Sequence, residues 1–169
     1  MHAQTVPRAR RRSPVFPASR GAFSLIELTM VIATVAVLSA IAIPRYSNSL
    51  SRYQVDLAAK RLAADLTLAR ANARSTSTAQ VVDFAAPANG YTLSGMPAPD
   101  GHAGDYAVRL SDEPYRAALG AALFGDPAVA WVRFDRYGMP DKGGTVVVRS
   151  GEYQKTVVLD PVNGKTEVR

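Results

Sequence analysis

The sequence predicts an α+β chain: one long N-terminal helix packed on an antiparallel β-sheet or a small β-sandwich. Three observations carry that expectation. Residues 23–43 are an apolar run with a single ionisable residue, Glu27. Residues 45–74 then place apolar side chains at spacings of three and four, the period of one helix face. After Thr76 the pattern changes to short β-branched and aromatic runs of period two, separated by Gly, Pro and Asn, which read as strands and turns.

Composition limits what the chain can be. It has 169 residues, of which 47% are hydrophobic and 20% charged. That suits one packed domain plus an appended segment and argues against wholesale disorder. The absence of cysteine removes disulfides and thiol-based metal or nucleophile chemistry. His2 and His102 are far apart, and no cluster has metal-ligand spacing, so neither metal nor cofactor is expected. The formal charge of +6 is misleading, because Arg8, Arg10, Arg11, Arg12 and Arg20 carry +5 of it within the acid-free residues 1–22. A nucleic-acid reading from overall basicity would rest on that segment alone.

The first element is Phe23–Ile43, FSLIELTMVIATVAVLSAIAI. As a helix it spans about 31 Å, close to the hydrocarbon thickness of a bilayer. The basic residues all precede it, so the positive-inside rule leaves the N-terminus in the cytoplasm and sends residues after Pro44 outward. Glu27 is out of place there. A carboxylate at mid-membrane costs roughly 2.5–3.5 kcal/mol, less near the edge, and the segment offers it no partner. An α-amino group released by cleavage just upstream would be one, from the same chain or a neighbour. Pro44 lacks an amide hydrogen and predicts a kink or local melt over Ser39–Pro44.

The residues Gly21-Ala22-Phe23-Ser24-Leu25-Ile26-Glu27 resemble the class III signal of type IV prepilins and type II secretion pseudopilins. That pattern is a small residue at the cut, then Phe-(Thr/Ser)-Leu-(Ile/Val)-Glu, then a long apolar helix. The resemblance implies a leader, residues 1–22, removed by a prepilin peptidase that also N-methylates Phe23. It implies a single-pass stage in the bacterial inner membrane, with the globular domain in the periplasm, and assembly through residues 23–43. Placing Glu27 fifth puts the cut after Ala22; Gly21 leaves a cut one residue earlier as the alternative. Pro44 falls where many members carry a proline. A competing reading takes Ala40-Ile41-Ala42 as the end of an ordinary signal peptide, which would free an exported protein at Ile43. Against it, the run is about twice the usual 7–15 residues and contains an acid.

The second element, residues 44–76, continues the helix as an amphipathic segment. Val55, Ala58, Leu62, Leu66, Ala69 and Ala73 make its apolar face, widened by Leu57, Ala64 and Leu68. Asp56 with Lys60 and Arg61 with Asp65 are i,i+4 pairs expected on the exposed side, worth about 0.2–0.5 kcal/mol each. The apolar stripe needs a sheet to cover it, and residues 77–169 supply one. Strands are predicted over Ala79–Phe84, Tyr91–Ser94, Tyr106–Leu110, Val129–Phe134, Thr145–Ser150 and Thr156–Asp160. Gly143–Asp160 reads as a hairpin around Ser150-Gly151-Glu152, and residues 111–127 as a loop with a short helix. Within Val129–Phe134, Trp131 shares a face with Val129 and Arg133, read as a core aromatic beside a rim arginine.

Three stretches of residues 62–169 together resemble the minor pseudopilin H / FimT group. They are an Ala/Arg-rich helix end running into a strand, the Phe134-Asp135-x-x-Gly138 turn, and a terminal hairpin closing with Asn163-Gly164-Lys165. The resemblance implies a minor subunit near the tip of a type II secretion pseudopilus or a type IV pilus, with other pilin or pseudopilin subunits as partners. Some members bind DNA through a C-terminal Gly-Arg-x-Arg. The matching positions are Gly164, Lys165, Thr166 and Glu167, so the second cation is replaced by an acid, with Arg169 two residues on. Arg70, Arg74, Arg133, Arg136 and Arg149 could add to a patch, but scattered solvated arginines are the simpler reading. No catalytic constellation is present and no enzyme is expected. Lys142-Gly143-Gly144 reads as a turn, Asp112-Glu113 as a solvated loop, and His102 as an exposed loop residue.

Overall fold

A computed structural model describes residues 23–84, 89–98 and 104–169, without the side chain of Pro44. Two compact units divide the chain, Met1–Ala40 and Ile41–Arg169. The leader segment, Gly21, Ala22 and His102 lie outside the described residues.

Helix α1 runs over Leu25–Thr76. Its assignment is unbroken through Ser39–Pro44, so the expected local melt is absent. A proline forfeits one helical hydrogen bond, but its fixed φ is compatible with a helix. In the first unit, the large apolar side chains from Leu25 to Leu38 are all exposed. In the second unit, Val55, Ala58, Ala59, Leu62, Leu66, Ala69 and Ala73 are buried. Four of these seven are alanine, which lets the helix backbone approach the sheets closely.

Two expectations for this helix are corrected. Ala64 and Leu68 are exposed, so they do not widen the buried stripe. Asp65, expected on the solvent side, is 4% exposed. The inward face turns toward Asp65 rather than toward Ala64 and Leu68, because tyrosine hydroxyls on the sheet receive the carboxylate.

The second unit holds two four-stranded antiparallel sheets. The strands are β1 (Gln80–Asp83), β2 (Gly90–Pro97), β3 (Asp105–Arg109), β4 (Ala118–Phe124), β5 (Trp131–Phe134), β6 (Gly144–Ser150), β7 (Tyr153–Leu159) and β8 (Thr166–Val168). One sheet has the order β3-β2-β1-β5 and the other β4-β6-β7-β8. The predicted hairpin is present: Ser150 pairs with Tyr153 across Gly151-Glu152, and Gly151 has φ +57°, a conformation that favours glycine.

One continuous core joins α1 to both sheets. Phe84 stacks on Phe124 at 5.4 Å and tilts against Tyr91 at 5.8 Å, tying the end of β1 to β2 and β4. Two assignments in the sheets differ from expectation. Residues 118–124, ALGAALF, lie in the 111–127 stretch expected to be a loop with a short helix, but form β4 against the valine-rich β6. Their Ala and Gly content gives little β-propensity; cross-strand pairing and burial of Phe124 override it. Trp131 is 39% exposed while Val132 and Phe134 are fully buried, so the tryptophan is not a core residue. Period two defines two faces of a strand without saying which one is inside.

Candidate functional site

The apolar half of α1 carries one acid. Between Leu25 and Ile43 its hydroxyls bond back into the helix: Thr29 donates to the Ile26 carbonyl at 2.8 Å, Thr34 to Val31 at 2.8 Å and Ser39 to Val35 at 2.7 Å. This leaves an outer surface of hydrocarbon, as a lipid-facing helix requires. The segment is long and apolar enough to cross a membrane. Glu27 lies in the first turn of α1, where a carboxylate complements the helix dipole. Among the described residues nothing pairs with it. Phe23, the predicted first mature residue, is exposed, and Pro44 lies within the helix assignment.

The second arrangement is a buried polar hub that sequence reasoning missed. Asp65 accepts hydrogen bonds from the Tyr91 hydroxyl at 2.6 Å, the Tyr106 hydroxyl at 3.0 Å and Arg61 Nε at 3.0 Å. Arg61 also donates to the Tyr106 hydroxyl. Tyr91 lies on β2 and Tyr106 on β3, so one helical carboxylate gathers two strands. Burial, reinforced by the Asp65 charge, pushes the Tyr91 hydroxyl far above its ordinary value of 10.0. Burial raises Tyr106 too, against the opposing pull of Arg61. Burial lowers Arg61, but its Tyr106 and Asp65 contacts outweigh that and raise it overall. The raised tyrosines stay protonated and Arg61 stays charged, and the hub acts as a structural clamp between α1, β2 and β3. The only sequence signal was the i,i+4 spacing of Arg61 and Asp65, which does not reveal burial.

The third arrangement concerns the cations. Arg70 Nε donates to the Gly138 carbonyl at 3.1 Å, and Gly164 lies against Pro140 and Arg70. The Phe134–Gly138 turn and the terminal hairpin therefore meet the last turns of α1. This places Arg70 and Arg74 beside the loops that carry Arg136 and Lys165. The other cations are elsewhere: Arg133 is on β5 in the first sheet, and Arg149 is on β6 in the second. Arg169 is paired with Glu167 at 3.0 Å. Both line a shallow groove of about 390 Å³ with Lys165 and Asp160. A carboxylate in that groove weakens it as a phosphate site. Among the described residues no group of three or more His, Cys, Asp or Glu side chains could hold a metal.

Residues 58–163, more than half of the chain, match the family described as type II transport protein GspH. The chain belongs to that family and is a minor pseudopilin- or pilin-like protein. The minor type IV pilin FimU of Pseudomonas aeruginosa strain PAO1 is similar over 70% of this chain and 90% of its own, with 17% identity and a TM-score of 0.49, a likeness too weak to carry an argument.

Proposed function

We propose that the chain is a minor subunit of a type II secretion pseudopilus or a type IV pilus, matured by cleavage after Ala22 and assembled through the N-terminal half of α1. The observation that carries this is Glu27, an acid with no partner among the described residues, near the start of a hydrocarbon-surfaced helix. Residues 1–22 hold the precursor at the inner membrane. Their removal creates the Phe23 amine, a cation four residues from Glu27 or available to the Glu27 of a neighbour. The helix then exchanges lipid for a bundle of similar helices at little cost. An unpaired charge inside that bundle is penalised, so the Glu27–amine pair sets axial register. The family supports the subunit role, and the basic leader supports the orientation, with the second unit outside the cytoplasmic membrane.

N-terminal mass spectrometry of the chain, isolated from cells that contain a prepilin peptidase, tests this. A mature start at methylated Phe23 is expected. A start at Ile43, or an intact arginine-rich head, overturns it.

A further inference from the structure

The end of α1 and two loops build one surface of the second unit. A Cβ on Gly138 would sit 2.6 Å from Arg74 Cγ, and one on Gly164 would sit 3.1 Å from Pro140 Cδ and 3.2 Å from Arg70 Nε. The loop after β5 and the loop after β7 are therefore packed together against the helix. Each loop is closed by its own aspartate. Asp135 accepts from the amides of Tyr137 at 2.9 Å and Met139 at 2.8 Å. Asp160 accepts from the Val162 amide at 2.7 Å and Asn163 Nδ2 at 2.9 Å. Both carboxylates are thus engaged within their own loops, the usual role of an aspartate at a turn.

The loops turn a different set of groups outward. Arg74, Arg136 and Lys165 are exposed and have no ion-pair partner among the described residues. Tyr137 is 64% exposed, Val162 77% and Met139 37%, and the Arg136 guanidinium lies over the Tyr137 ring at 5.1 Å. Arginine, tyrosine and methionine are the types that protein interfaces concentrate. Loops already locked by side chain–backbone bonds lose little freedom on binding.

We propose that this face docks a protein partner presenting carboxylates around an apolar residue. A nucleic acid is the poorer fit: Met139 and Val162 offer nothing to phosphates, and Arg136 already covers a face of Tyr137, the aromatic ring on this surface. A second copy related by a twofold axis is also a poor fit, because it would bring like charges together. The proposal goes beyond the assembly reading and does not depend on where the leader is cut.

The test places a photoactivatable cross-linking amino acid at Val162 in the full-length chain, in its native membrane. The expected adduct joins another protein at a peptide containing Asp or Glu beside an apolar residue. Arg136→Glu with Lys165→Glu lowers its yield about tenfold, Lys165→Glu alone gives part of that loss, and Arg136→Lys with Lys165→Arg keeps the adduct. Changing the partner's acid to lysine restores the adduct in the doubly reversed variant. No adduct, an adduct indifferent to charge reversal, or one on a peptide without carboxylates overturns the proposal. So does duplex DNA that binds the purified chain at physiological salt and is lost in the same variants. The N-terminal mass of the same sample reports processing separately, so the two readings fail independently.

Discussion

At the scale of single residues, burial separates two carboxylates that the sequence presents as equivalents. Asp56 and Asp65 each face a cation one turn on or back, Lys60 at 2.7 Å and Arg61 at 3.0 Å. Asp56 is solvated and Asp65 is buried beneath two hydroxyls. Asp65→Asn is expected to cost about 2–3 kcal/mol, because it leaves buried donors poorly satisfied. Asp56→Asn is expected to stay within about 0.5 kcal/mol. Urea unfolding of the detergent-solubilised chain distinguishes them, and equal losses would remove the hub from the account. The tyrosines add a pH signature. Both keep their protons in the folded chain above the ordinary value of 10.0, while the unfolded chain releases them near it. Their contribution is therefore full below about pH 10 and falls as pH rises further. Tyr91→Phe should flatten that alkaline decline in unfolding midpoints measured between about pH 8 and pH 11. The two ion pairs were legible in the sequence, but the burial of Asp65 and its tyrosine partners were not, since Tyr91 and Tyr106 lie 26 and 41 positions from Asp65 and only the folded sheet brings them to it.

At the scale of elements, the glycine of the Phe134–Gly138 turn joins a loop to the helix. Gly138 has φ +74°, and an added Cβ would meet Arg74 Cγ at 2.6 Å and the Arg70 carbonyl at 3.0 Å. Gly138→Ala is expected to cost about 1–3 kcal/mol in unfolding free energy. Adding Arg74→Ala should recover only part of it, because the backbone conformation and the carbonyl contact remain. Full recovery would locate the whole cost in the side chain. The turn was readable from its residues, but its seat on α1 was not. The same holds for the sheets. Strands rich in valine or aromatics, such as β1, β5 and β6, announced themselves by period two. β4 did not, because Ala118–Phe124 has weak intrinsic preference and takes its conformation from β6. Six of the seven helical core positions from Val55 to Ala73 were legible because the helix has one covered face; Ala59 was not among them. Leu68 was misjudged because hydrophobicity alone does not fix the edge of that face.

At the scale of the whole molecule, the apolar run and its acid were the most legible feature, and they govern the expected behaviour in the cell. Glu27→Ala should still insert and be cleaved, yet enter filaments poorly, as seen by comparing its amount in membrane and sheared-filament fractions. Normal incorporation would remove the role assigned to Glu27. Near-edge placement in the membrane lightens the cost of the charge, so insertion itself should change little. Within the second unit, α1 is fastened at several levels: Gln54 to Ser150, Asp65 to Tyr91 and Tyr106, Thr67 to Thr166, and Asn72 to Gln80. Tension applied along the helix loads all of these ties together in shear, rather than peeling them one by one. Under mechanical load the helix and its sheets should therefore part in one abrupt rupture instead of yielding by degrees.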